Sequence, residues 1–207
     1  MPRTSFRAAE AEVLRRDPVM ADLARRAGPF RLPKPETGHF EALAESILYQ
    51  QLAGAAAAAI HRRFVALFED GIRPEAVLAT PMERLRSAGL SGAKAVSIVD
   101  LAAKVAEGAV PLEDIERLSD EEIVERLTLV RGIGRWTAEM FLIFQLRRLD
   151  VWPVGDYGVR QGYALTYSLA ELPKPKELMA LGERFRPYRT VPAWYCWRAV
   201  HLSRSGG

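Results

Sequence analysis

SDEEIVERLTLVRGIGRWTAEMFLIFQLRRLDVWPVGDYGVRQG, residues 119–162, decides how the rest of this chain is read. Ser119 and Glu122 have the spacing of a capping box, which predicts a helix starting there. Ile123, Val124, Leu127 and Val130 give that helix one apolar face. Arg131-Gly132-Ile133-Gly134 then stops it, because glycine tolerates the positive φ that a tight reversal needs. A second helix follows at once, with Ala138, Phe141, Leu142 and Gln145 three or four residues apart. So tight a hairpin leaves backbone N–H groups at the start of the second helix without intrahelical partners. Together with the helix dipole those donors favour an anion, phosphate above all. Further on, a single carboxylate, Asp156, lies between Gly155 and Tyr157. Phosphate cradle and carboxylate are the expected centre of the molecule.

The bulk properties narrow the setting. A chain of 207 residues with 49% hydrophobic content buries a real core as one domain or two small lobes, and it is not disordered. No apolar run reaches the roughly 18 residues of a membrane span. Met1-Pro2-Arg3-Thr4 carries no apolar signal region. One cysteine, Cys196, excludes an internal disulfide and a cysteine-ligated iron–sulfur cluster. His39, His61 and His201 are too scattered for a zinc site. The expected compartment is the cytoplasm, with nucleoid association if the source is bacterial. Net charge is +3 and the pI about 9.2. From Gly182 onward Arg184, Arg186, Arg189, Arg198 and Arg204 face one acid, Glu183. That segment is either the footprint of a polyanion partner or a solvated basic face.

Taken in order, the remaining sequence is helical. Phe6, Ala9, Val13 and Leu14 form one apolar face. Asp17-Pro18 starts a second helix through Leu23 to Ala27, ended by Gly28-Pro29. Residues 28–38 read as a linker to another lobe. A helix from His39 to Gln50 is interrupted at Tyr49-Gln50-Gln51-Leu52-Ala53-Gly54 by exposed polar residues, and Ala55 to Phe68 resumes it. Short helices follow at 74–79 and 81–87, with Thr80 and Glu83 spaced as a capping box. Gly89-Leu90-Ser91-Gly92 turns into a longer helix capped by Ser91. After Asp156 come a helix carrying Val159 and Tyr163, a break at Pro173 and Pro175, and two last helices. Strand signals are almost absent. The fold class is all-α: about ten helices in two helical lobes with the cleft between them.

These residues together resemble the helix-hairpin-helix superfamily of DNA base-excision glycosylases, and within it the alkylbase, 3-methyladenine type II branch. The resemblance is carried by Leu129 to Ala138 followed by Val154-Gly155-Asp156-Tyr157. Ser46 to Leu52, Gly89 to Ala95, and Arg186 to Thr190 through Trp197 add to it. It spans about residues 5–202, and it implies one compact unit over 1–207 with lobes at 36–118 and at 1–35 plus 119–207. Arg131 stands where the family often has proline. Trp136 stands where glycosylases that also cut the strand carry lysine, so no Schiff base forms there. The four-cysteine cluster of some relatives is absent.

The implied activity is hydrolysis of the N-glycosidic bond of a flipped alkylated purine. Asp156 is the implied catalytic carboxylate, beside its simpler reading as an N-cap. Trp136, Met140, Tyr157 and Trp197 are the candidate base pocket, set against plain core packing. Trp194 is read as packing. Gln51, with Gln50 and Leu52 beside it, is the candidate wedge that fills the vacated stack. Amides of Gly132, Gly134 and Arg135 are expected to hold a phosphate, with Lys94 and Arg189 adding backbone contacts. No cofactor is required; Na+ or K+ is implied at the carbonyls of Thr128, Val130 and Ile133. The implied partner is double-stranded DNA carrying an alkylated base, met by a monomer with no membrane. Two other readings stay open: a glycosylase for uncharged or mismatched bases, and a non-catalytic hairpin module that only binds DNA.

Overall fold

The structure is a computed structural model that describes residues 5–52 and 54–205; Met1 to Thr4, Ala53 of the interrupting turn, Gly206 and Gly207 lie outside them. Among the described residues the chain is all-α, without a strand. The α-helices are α1 (Phe6–Arg16), α2 (Pro18–Ala27), α3 (His39–Tyr49), α4 (Gly54–Val65), α5 (Pro74–Ala79), α6 (Met82–Ser87), α7 (Gly92–Ala106), α8 (Asp120–Thr128), α9 (Arg135–Met140), α10 (Tyr157–Thr166), α11 (Pro175–Gly182) and α12 (Thr190–Ser205). No described helix is long and apolar enough to cross a membrane.

Several helices begin where a short polar side chain reaches forward to an otherwise unpartnered amide. Asp17 Oδ1 accepts from Met20 N–H at 2.9 Å, with Pro18 at the first helical position. Ser119 and Glu122 form the complete capping box, at 3.3 Å and 2.8 Å. Asp156 Oδ1 accepts from Val159 N–H at 2.8 Å and starts α10. The Thr80–Glu83 box does not form. Pro81 is the residue before α6, and Thr80 Oγ1 donates back to the Ala76 carbonyl of α5 at 2.8 Å. The helix after the hairpin also departs from expectation. Its α-helical part ends at Met140, and Phe141–Gln145 forms one π-helical turn.

The chain divides into two compact units, Met1–Lys34 with Leu142–Gly207, and Pro35–Phe141. In the first, α10 packs along α12, and α1 and α2 cover α12. Met20, Leu23, Tyr163 and Tyr195 are at most 2% exposed there. In the second, α3, α5 and α6 pack against α7 and α4 packs on α3, burying Leu43, Ile47, Phe64, Ile98 and Leu101. Each such side chain contributes roughly 1.5–3 kcal/mol of apolar burial, enough to hold short helices that would not persist alone.

Candidate functional site

In the first unit the candidate chemistry gathers at the start of α10. Asp156 is half-buried, and its Oδ1 receives two donors, Val159 N–H and the indole Nε1–H of Trp197 at 2.9 Å. Trp197 comes from α12 and is stacked on Phe144 of the π-helical turn, with ring centroids 5.7 Å apart and planes at 27°. Gly158 makes this approach feasible, since a Cβ there would lie 2.9 Å from Trp197 Cδ1. The two donors hold the carboxylate in one orientation at the start of α10. Tyr157, the next residue, is 62% exposed and so offers a ring to a partner rather than to the core. Beneath the carboxylate, Cys196 is fully buried, and burial together with the charge of Asp156 pushes its thiol up. It stays a neutral thiol and is no nucleophile.

The second unit holds the hairpin and the interrupted helix. Gly132 takes φ +82°, whereas Gly134 is extended and precedes α9 without a side-chain cap. The positive φ is therefore needed at one glycine, and the other leaves the first amides of α9 unobstructed by a capping side chain. Arg131, where the resemblance expects proline, supplies an N–H that donates to Asp100 at 2.7 Å. The Arg135 side chain pairs with Glu121 and Glu139. That guanidinium is therefore already engaged by carboxylates of the protein. Gln50 donates from Nε2 to the Gly132 carbonyl at 2.9 Å, so the turn after α3 is fastened to the hairpin. Gln51 is exposed with φ +57°, a conformation that costs a non-glycine residue roughly 1–2 kcal/mol. Such strain persists only where neighbours hold it, and it clusters at sites of function. Leu52 is 38% exposed, which removes the reading of it as core.

Between the turn and the hairpin lies a cavity of about 610 Å³. Trp136 and Met140, one helical turn apart, line one side of it with Thr137 and Gly132. Ser46, Tyr49, Gln50 and Gln51 line the other. Trp136 is 49% exposed, unlike a core residue of its size. Sequence reasoning did not single out Ser46, Tyr49 or Thr137 as lining. The signal was available, since Ser46, Tyr49 and Gln50 recur at three- and four-residue spacing on one face of α3. Of the four pocket candidates, Trp136 and Met140 thus sit in one unit, and Tyr157 and Trp197 in the other.

Two expected backbone contacts change character. Arg189 is 9% exposed, and its guanidinium grips Asp150 through Nε at 2.8 Å and Nη2 at 3.0 Å, with a further bond to the Asp150 carbonyl at 2.9 Å. A buried, bidentate pair of this kind holds the fold and leaves no face for a phosphate. Lys94 donates from Nζ to the carbonyls of Leu48 and Gln50, both at 2.7 Å. Two other arginines after Gly182 are also paired with acids of their own unit, although both stay about half-exposed. Arg184 pairs with the buried Asp17 at 3.3 Å and lies over Tyr167, and Arg186 pairs with Asp150 at 2.9 Å. Trp194 packs edge-on against Phe30 and Tyr195. For a monovalent ion, Val130 O already accepts from Ile133 N–H at 3.1 Å, which leaves one of its two lone pairs. Carbonyl oxygen is the donor type a monovalent cation takes, and those of Thr128, Val130 and Ile133 would be the ones to hold it.

A glycine hairpin joining two helices, followed by a carboxylate that caps a later helix and takes an indole N–H, defines a helix-hairpin-helix protein with a single acidic centre. The family model described as HhH-GPD superfamily base excision DNA repair protein matches residues 44–187, and the chain belongs to that superfamily. DNA-3-methyladenine glycosylase 1 of Schizosaccharomyces pombe is 36% identical over 97% of this chain and 90% of its own. The alkylbase DNA glycosidase-like protein mag2 of the same yeast is 31% identical over 98% of both. Among solved structures, S. pombe 3-methyladenine DNA glycosylase in complex with abasic DNA superposes with TM-score 0.79 at 36% identity, covering 92% of this chain and 95% of that one. A DNA-3-methyladenine glycosidase from Bacillus halodurans gives TM-score 0.87 at 34% identity, covering 95% and 91%.

Proposed function

We propose that this chain is a monofunctional DNA glycosylase that excises alkylated purines, of the 3-methyladenine and 7-methylguanine type, from duplex DNA. The observation that carries the reading is Asp156, an ordered carboxylate at a helix start with one oxygen held by Val159 and Trp197. The names of the relatives support it, because they are called 3-methyladenine glycosylases and one was captured on abasic DNA. The base is rotated out of the stack, which costs a few kcal/mol and least for damaged or poorly paired bases. The C1′–N bond then breaks, and its electron pair leaves with the cationic purine, which departs neutral. The sugar is left oxocarbenium-like, and the negative charge of Asp156 stabilises it. Water adds to C1′ and gives up a proton to that carboxylate. An N-alkylated purine is already a good leaving group and needs no general acid, so one carboxylate suffices. Trp136 and Tyr157 offer exposed rings on which a cationic base stacks well. A monovalent ion at the hairpin carbonyls of Thr128, Val130 and Ile133 would add charge beside a bound phosphate.

The reading is tested by incubating the protein with methylated duplex DNA and following free bases by chromatography. Release of 3-methyladenine or 7-methylguanine is expected, and release of uracil or hypoxanthine alone would move the assignment to uncharged bases. Absence of any release with retained DNA binding would favour the purely binding hairpin module. Because Trp136 replaces the amine a strand-cutting enzyme uses, borohydride is expected to trap no covalent protein–DNA adduct. An adduct on a denaturing gel would sink the monofunctional mechanism. Trp197→Phe keeps a ring against Phe144 but deletes the donor to Asp156. A bond to a charged group is worth roughly 1.5–3 kcal/mol, so single-turnover excision is expected to slow about tenfold or more. An unchanged rate would reduce Trp197 to packing.

A further inference from the structure

Helix α7 carries three polar residues on one stripe, Lys94, Ser97 and Asp100, and all three meet the two loops described above. Lys94 Nζ donates to the carbonyls of Leu48 and Gln50, both at 2.7 Å, which fixes the turn on either side of Tyr49. Asp100 Oδ2 accepts from Arg131 N–H at 2.7 Å, which fixes the entry to the hairpin. Lys104, one turn further along α7, is 3.4 Å from Asp100 and holds its carboxylate in place. Buried Ser97 lies between them, and its Oγ is 2.8 Å from where a Cβ on Gly132 would stand. The loops are also joined to each other by Gln50 Nε2 on the Gly132 carbonyl at 2.9 Å. The left-handed residue Gln51 therefore follows a residue that is held through both its carbonyl and its side chain.

We propose that Lys94 is a positioning residue, and that α7 acts as a strut fixing the Gln51 turn at a set distance from the Gly132 hairpin. The inference rests on the glycosylase reading for what those loops meet: Gln51 enters the gap left by the flipped base while the hairpin amides hold a phosphate. With the strut intact, insertion and phosphate grip are a single contact event. Without it the turn relaxes out of its strained conformation, and each expulsion of a paired base must first restore it. The ammonium suits this task because it bonds two carbonyls at the end of α3, where the helix dipole favours positive charge. Burial pushes its pKa down, in keeping with partners that are protein carbonyls rather than water. Lys94 lies outside the apolar core of its unit, where Leu48, Ile98 and Leu101 are fully buried, so its loss alters the turn more than the fold.

The test compares single-turnover release of 7-methylguanine from a paired duplex with release of the same base from an unpaired bulge, where expulsion needs little help. Lys94→Met is expected to lose about tenfold or more in the paired duplex but less than about threefold in the bulge, since an unpaired base is cheap to flip. Lys94→Arg, which keeps a cationic donor, is expected to recover most of the paired-duplex rate. Asp100→Ala cuts the strut at its other end and is expected to show the same dependence on pairing. It carries the test if Lys94→Met melts below the assay temperature. Equal losses in both substrates, or no loss in either, would overturn the strut. Wild-type protein that releases neither 7-methylguanine nor 3-methyladenine from either duplex would instead overturn the alkylpurine reading beneath it.

Discussion

Asp156→Asn is expected to leave folding and DNA binding intact while base release falls by about a thousandfold or more. The size follows from the charge alone. A carboxylate about 4 Å from a developing oxocarbenium ion gains about 4 kcal/mol at an effective dielectric near 20, which is close to a factor of a thousand in rate. The amide keeps the shape and an oxygen, but it loses the charge and the ability to take a proton from water. The substitution also separates the two roles of this residue. Asparagine caps helices as well as aspartate does, so its Oδ1 still accepts from Val159 N–H and α10 still starts at Tyr157. Asp156→Ala removes both functions and is expected to cost about 1 kcal/mol of stability in addition, a typical loss for an N-cap. Release assays on both variants, with thermal melts beside them, resolve charge from cap. Near-normal release by Asp156→Asn would take this carboxylate out of the chemistry.

The same residue shows why so much of the site was legible in the sequence. Caps are a local code, in which a side chain at one position reaches an amide three residues on. Asp17, Ser91, Ser119 and Asp156 all cap the helices their spacing predicts. The hairpin is equally local, because Gly132 needs its positive φ whatever lies around it. Thr80 failed under the same rule, since its hydroxyl had a competing acceptor in the turn before it, the Ala76 carbonyl.

What the sequence hid depends on pairs far apart along the chain. Arg189 was read as basic surface because its acid, Asp150, lies outside the segment in which the charge was counted. Lys94 looked like a phosphate contact until its carbonyl partners at Leu48 and Gln50 were known. Backbone carbonyls leave no trace in residue type. The π-helical turn at Phe141–Gln145 is likewise invisible to a periodicity argument, because an apolar run such as FLIFQL satisfies either winding.

Gly162→Ala is expected to be the most damaging single-methyl change in the chain, and it links the packing of the first unit to the acid. Helix propensity alone favours the substitution by roughly 1 kcal/mol, since alanine loses less backbone entropy than glycine in a helix interior. Space decides otherwise. A Cβ on Gly162 would lie 1.9 Å from the Cys196 carbonyl oxygen, 2.4 Å from its carbon and 2.6 Å from its Cα. These are backbone atoms of α12, so no rotamer change relieves the overlap, and α10 and α12 must separate. Cys196 and Tyr195 are fully buried and Tyr163 is 2% exposed, so the separation opens the core as well. Overpacking of this kind costs about 3 kcal/mol or more, which outweighs the propensity gain. At about 2–4 °C per kcal/mol for a chain of this size, the melting temperature is expected to fall by roughly 6–12 °C. Gly92→Ala, at the start of α7 with nothing within 4 Å of the added carbon, is the matched control and is expected to melt like the parent. The damage should also reach the site. Trp197 follows Cys196 on α12, and its bond to Asp156 at the start of α10 depends on the spacing that Gly162 permits. Release by Gly162→Ala is therefore expected to fall even well below its melting temperature. Melting and release both equal to the parent would show that the two helices do not need this close approach.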